Sequence, residues 1–232
     1  MGESARFRLD EIETWIFDLD NTLYPASSRL FEQIGARMTH FICERFGLEW
    51  EAALSLRRAY FRDYGTTLRG LMLVNRVDPE EFLIYVHEID LSSLAPDPAL
   101  ERSLSRLAGR KFVHTNASAR HASRVLERLG VARCFSAILD IADAGYDPKP
   151  ALSGYRELVR RHRVEPSSAL MIEDIARNLE PAAALGMTTV WLRGGSDWAA
   201  EGVEGVRIDH VIDDLGAFLA LAASRQGRSS RP

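Results

Sequence analysis

The stretch at 14–25, TWIFDLDNTLYP, constrains this chain more than any other. Trp15, Ile16 and Phe17 form a short apolar run closed by turn-forming residues. That is the pattern of a strand buried on both faces, as in a parallel sheet. Asp18 and Asp20 stand two residues apart, so on an extended backbone both carboxylates leave the strand end on the same side. Two acids that close repel, more strongly when buried, and persist only with a shared proton or a cation beside them. Asn21 and Thr22 then favour a turn. Taken alone, the pair also reads as turn aspartates that cap the next segment. A calcium loop is excluded, because the sixth position from Asp18 is Leu23 and no Glu closes the loop. Residues further along the chain have to decide between a turn and a site for a hard metal and a nucleophile.

The segment 26–94 carries helical periodicity and no strand-like alternation. Leu30, Phe31, Ile34, Met38, Phe41, Ile42 and Phe46 share one face, with Gly47 as a stop. Ala52, Ala53, Leu56, Tyr60 and Tyr64 repeat the pattern, and Asp78-Pro79 suits a helix start. From 95 onward short apolar runs alternate with helices. The spacing predicts a helix from Pro98 towards Gly109, strands at 111–114, 137–141, 169–172, 188–192 and 211–212, and helices at 117–129, 152–163, 178–185 and 215–223. Strands alternating with helices of this length predict a parallel sheet covered on both faces, with the first strand in it and 26–94 inserted after it. The expected organisation is an α/β core over 1–25 and 95–224, a helical cap over 26–94 and a disordered tail over 225–232.

The chain has 232 residues, a net charge of -4 and no apolar run of membrane-spanning length. The slight acidity argues against nucleic-acid polymers as partners. The polar N-terminus is no signal peptide, and Cys43 and Cys134 lack metal-type spacing, so a cytoplasmic protein with reduced thiols is expected.

In doubly wound sheets, ligands bind beyond the carboxyl ends of the strands. Those ends carry Asp18 and Asp20, then Thr115-Asn116, then Lys149 in YDPKP, then Glu173-Asp174. A hard dication of the Mg²⁺ type takes oxygen ligands and keeps some waters. Asp18 and Asp174 would supply carboxylates, with a backbone carbonyl near Asp20. Thr115 suits a phosphate oxygen, and the ammonium of Lys149 suits a phosphate and a carboxylate together. Only Lys111 and Lys149 break the otherwise exclusive use of Arg.

With these four motifs in this order, the sequence resembles the haloacid dehalogenase superfamily over nearly its whole length. DLDNTLYP, YGTTLRGL, TNASARHASRVLERLG and YDPKP resemble its pyrimidine 5′-nucleotidase-like branch more narrowly. The resemblance implies a Rossmann-like α/β core with an inserted all-α cap. It implies a Mg²⁺-dependent phosphomonoesterase acting on a small phosphorylated metabolite, with a pyrimidine nucleoside 5′-monophosphate as the leading substrate. Asp18 would be the nucleophile and Asp20 the acid and base, with Thr115 and Lys149 stabilising charge. Asp18, Asp20, Asp174 and Glu173 would hold the metal, Glu173 acting through water. The fourth motif departs from the usual pattern in reading Glu-Asp rather than Asp-Asp, and in having Ala176 where Ser is common.

Asn116 and, from the cap, Tyr64, Thr66, Thr67, Arg69 and Asn75 are the candidates for substrate contact. Core packing for Tyr64 and helix capping for Thr66 and Thr67 compete with that reading. Within that superfamily the resemblance implies that an acid at position 20, here Asp20, points away from dehalogenases, and that a cap without lysine, as 26–94 is, points away from the phosphonate-cleaving branch and its Schiff base. A sugar-phosphate phosphatase or phosphomutase is the alternative enzyme, and a catalytically idle binding protein the alternative class. Monomer and homodimer both remain open. His114 reads as a core histidine, and His121 as facing either the site or solvent.

Overall fold

The computed structural model describes residues 9–194, 200 and 204–229. Among the described residues, six strands form one sheet: β1 (Thr14–Phe17), β2 (Arg110–His114), β3 (Ala137–Leu139), β4 (Ala169–Glu173), β5 (Thr188–Leu192) and β6 (His210–Ile212). Their order is β3-β2-β1-β4-β5-β6, and every neighbouring pair is parallel. β1 therefore sits between β2 and β4, buried at all four positions. Trp15 and Phe17 enter the core on one face and Ile16 the other, as strand alternation requires. The strand order reverses its direction of growth at β1–β4, which is where a doubly wound sheet opens its binding crevice.

Helices cover both faces. On the first, α5 (Pro98–Arg106), α6 (Ala119–Leu129) and α9 (Leu215–Ser229) contribute Leu104, Val125 and Leu219. On the second, α7 (Leu152–His162) and α8 (Glu180–Ala184) contribute Tyr155, Leu158 and Ala182. Each large apolar side chain taken fully out of water stabilises the fold by roughly 1.5–3 kcal/mol before entropy is counted. Among the described residues, no helix is long and apolar enough to cross a membrane.

Between β1 and α5 run α1 (Leu30–Phe46), α2 (Trp50–Tyr64), α3 (Thr67–Asn75) and α4 (Pro79–Val86), with no strand among them. They enclose a core of their own around Phe41, Ile42, Leu71, Phe82 and Val86. The ends of the unit are different. Leu30 and Ile34 at its entry, and Ile89 and Leu94 at its exit, pack into the first core of the sheet. Asp78 caps α4 by accepting from the Glu80 and Glu81 amides, and Asp97 caps α5 in the same way. Arg57 is half-buried and donates to the Gly35 carbonyl.

Several boundaries differ from the periodicity. α5 stops at Arg106, short of Gly109. Gly109 instead has φ +90, and a Cβ there would lie 2.3 Å from the Glu13 carbonyl oxygen, so the chain enters β2 past a backbone that only glycine tolerates. β3 ends at Leu139 because Asp140 leaves the ladder, its carboxylate accepting from the Asp143 and Ala119 amides. α9 continues through Ser229, so 225–229, expected in the tail, are helical. Gln226 pins that extension by accepting from the Ala108 amide and donating to the Ile12 carbonyl.

Candidate active site

The register of β1 against β4 pairs Phe17 with Ile172, and the Asp18 amide donates to the Ile172 carbonyl at 3.0 Å. Asp18 thus leaves the sheet beside Glu173 and Asp174. All three acids are buried, and one oxygen from each lies within 4.8 Å of the others. Lys149 joins them from the loop after β3. Its Nζ donates to Asp18 Oδ1 at 2.6 Å, to Glu173 Oε2 at 2.7 Å and to the His114 carbonyl at 3.0 Å. Three acceptors satisfy its three N–H bonds. Burial alone would discharge this ammonium, but the Asp18 and Glu173 carboxylates outweigh it and hold the group protonated well above its ordinary range.

One ammonium does not offset the acids. Burial and then the charge of Glu173 push Asp18 up to about 7, against the pull of Lys149. Burial, then Glu173 and Asp18, push Asp174 up to about 9. Burial and the crowding of three acids around one ammonium both work against full ionisation, and a cation placed here would relieve both. Three carboxylates converging in this state fit a hard dication, with Asp18, Asp174 and Glu173 as the residues to hold it. Glu173 is already committed on both sides, since Oε2 pairs with Lys149 and Oε1 accepts from the Ile175 amide at 3.3 Å.

Asp20 behaves differently. Its carboxylate lies outside the acid cluster and accepts from the Tyr24 hydroxyl and from His121 Nε2, the latter at 3.3 Å. Burial works against its charge, but the donors from His121 and Tyr24 win and leave the carboxyl below its ordinary value. The two aspartates of one motif are therefore pushed in opposite directions. The Asp20 carboxylate is not among the groups gathered at the acid cluster.

The supporting residues sit at other strand ends. Thr115 Oγ1 accepts from the Ala117 amide at 3.0 Å, a bond that leaves its own hydrogen for a further acceptor. Asn116, expected at the substrate, accepts the Lys149 amide at 2.9 Å and so braces the lysine loop. The Trp191 indole donates to the Asp174 carbonyl at 2.9 Å from the neighbouring strand. His114 is a buried core histidine, set edge-on to Tyr155.

The helical unit reaches this rim unevenly. Arg69 pairs with Asp147, two residues before Lys149, and Tyr146 donates to Glu80 at 2.6 Å. The other cap candidates are engaged inside the unit. The Thr66 hydroxyl caps α3, Thr67 donates to the Arg57 carbonyl, Asn75 is exposed and accepts from Tyr60, and Tyr64 packs edge-on to Tyr60. For Thr66 and Thr67 the capping and local hydrogen-bond roles account for the hydroxyls. Sequence reasoning missed Tyr24, although it lies within the motif, and missed His87, which stacks on His121 at 4.5 Å between ring centroids. Only the i, i+4 spacing of Asp20 and Tyr24 signalled the first, and nothing local signalled the second.

Residues 12–186 match the family model described as haloacid dehalogenase-like hydrolase, and the chain belongs to that family of hydrolases. Among curated relatives, it is 29% identical over 138 residues to Phosphate metabolism protein 8 of Saccharomyces cerevisiae, spanning 54% of this chain but only 42% of the yeast protein. It is 29% identical over 203 residues to Glyceraldehyde 3-phosphate phosphatase of Methanopyrus kandleri, spanning 79% of this chain and 85% of that one. Similar solved structures include a HAD phosphatase from Thermococcus onnurineus, with TM-score 0.63 and 18% identity over 90% of this chain and 97% of that one. The HAD-hydrolase YfnB from Bacillus subtilis, solved bound to magnesium, has TM-score 0.60 and 14% identity over 91% of this chain and 98% of that one. At these identities the two structures speak to the fold.

Proposed function

We propose that this chain is a Mg²⁺-dependent phosphomonoesterase that works through an aspartyl-phosphate on Asp18. The observation that carries this is the buried cluster in which Lys149 bridges Asp18 and Glu173 while Asp20, two residues on, turns to separate partners. Such a division suits one carboxylate to attack and the other to move a proton. In the first step an Asp18 oxygen bonds to phosphorus, the bond to the leaving oxygen breaks, and Asp20 gives that oxygen its proton. In the second, Asp20 takes a proton from a water whose oxygen attacks phosphorus. The bond to Asp18 breaks, and phosphate leaves with both aspartates restored. Lys149 and Thr115 stabilise charge on the transferring group.

The free pocket leans away from the states the reaction needs, since Asp18, pushed up to about 7, must be ionised and Asp20, held below its ordinary value, must carry a proton. A bound dication supplies positive charge that favours the ionised Asp18 and Asp174. The negative charge of an arriving phosphate raises Asp20. Substrate and metal together thus set the acids, which ties activity to the arrival of both. The magnesium bound by the similar Bacillus structure and the phosphatase name of the Methanopyrus relative agree with this reading.

The helical unit is the cap in this proposal, and Arg69 and Glu80 are its contacts with the lysine loop. The motif resemblance favours a pyrimidine nucleoside 5′-monophosphate as substrate. The Methanopyrus relative, matched over most of both chains, favours a triose or other sugar phosphate as the second reading. Phosphate release from p-nitrophenyl phosphate with and without EDTA tests the activity, and a panel of nucleotides and sugar phosphates sorts the substrates. Metal-dependent turnover that vanishes in Asp18→Asn is expected. No turnover of any small phosphate ester would point to the binding protein instead.

A further inference from the structure

Asp20 is held from two sides at one atom. The Tyr24 hydroxyl, four residues along the same segment, donates to Oδ1. His121 Nε2, 101 residues away on α6, reaches the same Oδ1 at 3.3 Å. His121 is fully buried, and its Nδ1 has no hydrogen-bond partner among the described residues. A carboxylate can only accept, so Nε2 is the donor in this pair. With both donors on Oδ1, Oδ2 is the oxygen left to meet a leaving group.

His121 is seated by the helical unit. The ring of His87, which ends α4, stacks on it at 4.5 Å with the planes 17° apart. Burial pushes His87 down to about 3, so it is a neutral ring in ordinary buffers. His87 Nδ1 pairs with the Ser118 hydroxyl at 3.0 Å, and Ser118 is the residue that caps α6 and accepts the His121 amide. Arg124 then grips the exit of the unit, donating to the His87 carbonyl at 2.9 Å and the Ile89 carbonyl at 3.3 Å. Ser118, His121 and Arg124 recur every three residues, so one face of α6 reads the end of α4. The helical unit and Asp20 therefore meet through two stacked imidazoles.

We propose that His121 is the positioning residue for the acid-base carboxylate Asp20, and that His87 makes this positioning depend on docking of the helical unit. The proposal rests on the role given to Asp20 above. It requires that the pair matter most where proton delivery limits the rate.

The test compares His121→Leu, which keeps bulk without a donor, with His121→Gln, whose Nε2–H replaces the imidazole donor. Each is assayed on p-nitrophenyl phosphate, whose leaving group needs no proton, and on an unactivated alkyl phosphate. His121→Leu should lose about 10²-fold in kcat on the alkyl ester, in line with the lower range for general acid catalysis, and far less on the activated one. KM should hardly move, and His121→Gln should recover most of the loss. His87→Ala should lose activity in the same ester-selective way, to a smaller degree. Equal losses on both esters, a change confined to KM, or Gln no better than Leu would overturn the role of His121. An unchanged His87→Ala would overturn its dependence on the helical unit. Asp20→Asn is the control: if it lacks the ester selectivity, the assignment of Asp20 itself fails, whereas selectivity in Asp20→Asn without it in His121→Leu removes this inference alone.

Discussion

Lys149 Nζ lies 2.6 Å from Asp18 Oδ1, across 131 residues of chain, and both groups are almost wholly out of water. A buried ion pair of this kind is a weak source of net stability but a costly one to break from one side. Lys149→Ala is expected to lose about 10²–10³-fold in kcat, as the removal of a preorganised charge donor does. Its stability should fall more at pH 8 than at pH 5, because at the lower pH the stranded carboxyls can take protons. Steady-state kinetics and urea unfolding at the two pH values check this. A loss confined to KM would assign the lysine to ground-state binding.

Asp174 stands in a pocket that disfavours its charge, pushed up to about 9 by burial and by Glu173 and Asp18. Asp174→Asn removes the cost of burying that carboxyl, whether it appears as repulsion or as uptake of a proton. In EDTA at pH 8 the variant should melt higher than the unsubstituted protein, by about 2–4 °C for each kcal/mol relieved in a chain of this size. The same variant should lose its thermal response to Mg²⁺. Thermal scans with and without the metal measure both, and a lower melting temperature in EDTA would show that Asp174 stabilises the metal-free fold.

The pH dependence of the metal-free protein has a definite sign. The folded-state values of Asp18 and Asp174, about 7 and about 9, exceed their free-chain value of 3.8. Between those limits the native state holds more protons than the unfolded chain, so these two groups make stability fall as pH rises. Mg²⁺ should reverse the trend, since its ligands bind deprotonated and its stabilisation grows with pH. Denaturation midpoints from about pH 5 to 9, with EDTA and with Mg²⁺, should diverge. Parallel curves would remove the acid cluster as the metal site.

Gly154, on α7, faces the His114 ring. A Cβ there would lie 2.8 Å from His114 Nε2 and 3.2 Å from the Ala144 Cβ. Alanine normally gains about 1 kcal/mol over glycine inside a helix. Overpacking a core typically costs about 1–3 kcal/mol, so Gly154→Ala is expected to destabilise on balance. The His114 carbonyl also holds Lys149, so kcat should fall with stability. Urea unfolding alongside kinetics tests the pair of effects, and a stabilised variant would mean that the His114 ring gives way freely.

Much of this protein is written locally in the chain. The apolar run before Asp18, the helical periodicity of 26–94 and the alternation of strands and helices after 95 each depend on neighbours a few positions apart, and the elements formed close to those places. The polar residues at the carboxyl ends of the strands were legible too, because a parallel sheet sends every strand end to one rim. Tertiary structure decided what those residues touch. It set Asp20 between Tyr24 and His121, turned Asn116 onto the lysine loop, hung the Asp174 carbonyl on Trp191 and stacked His87 over His121. It also left Thr66 and Thr67 to caps and bonds within the helical unit. The physical reason is distance along the chain. Periodicity records which face of an element is buried, while a hydrogen bond between residues far apart in sequence depends on strand order and helix docking, which the whole core selects at once.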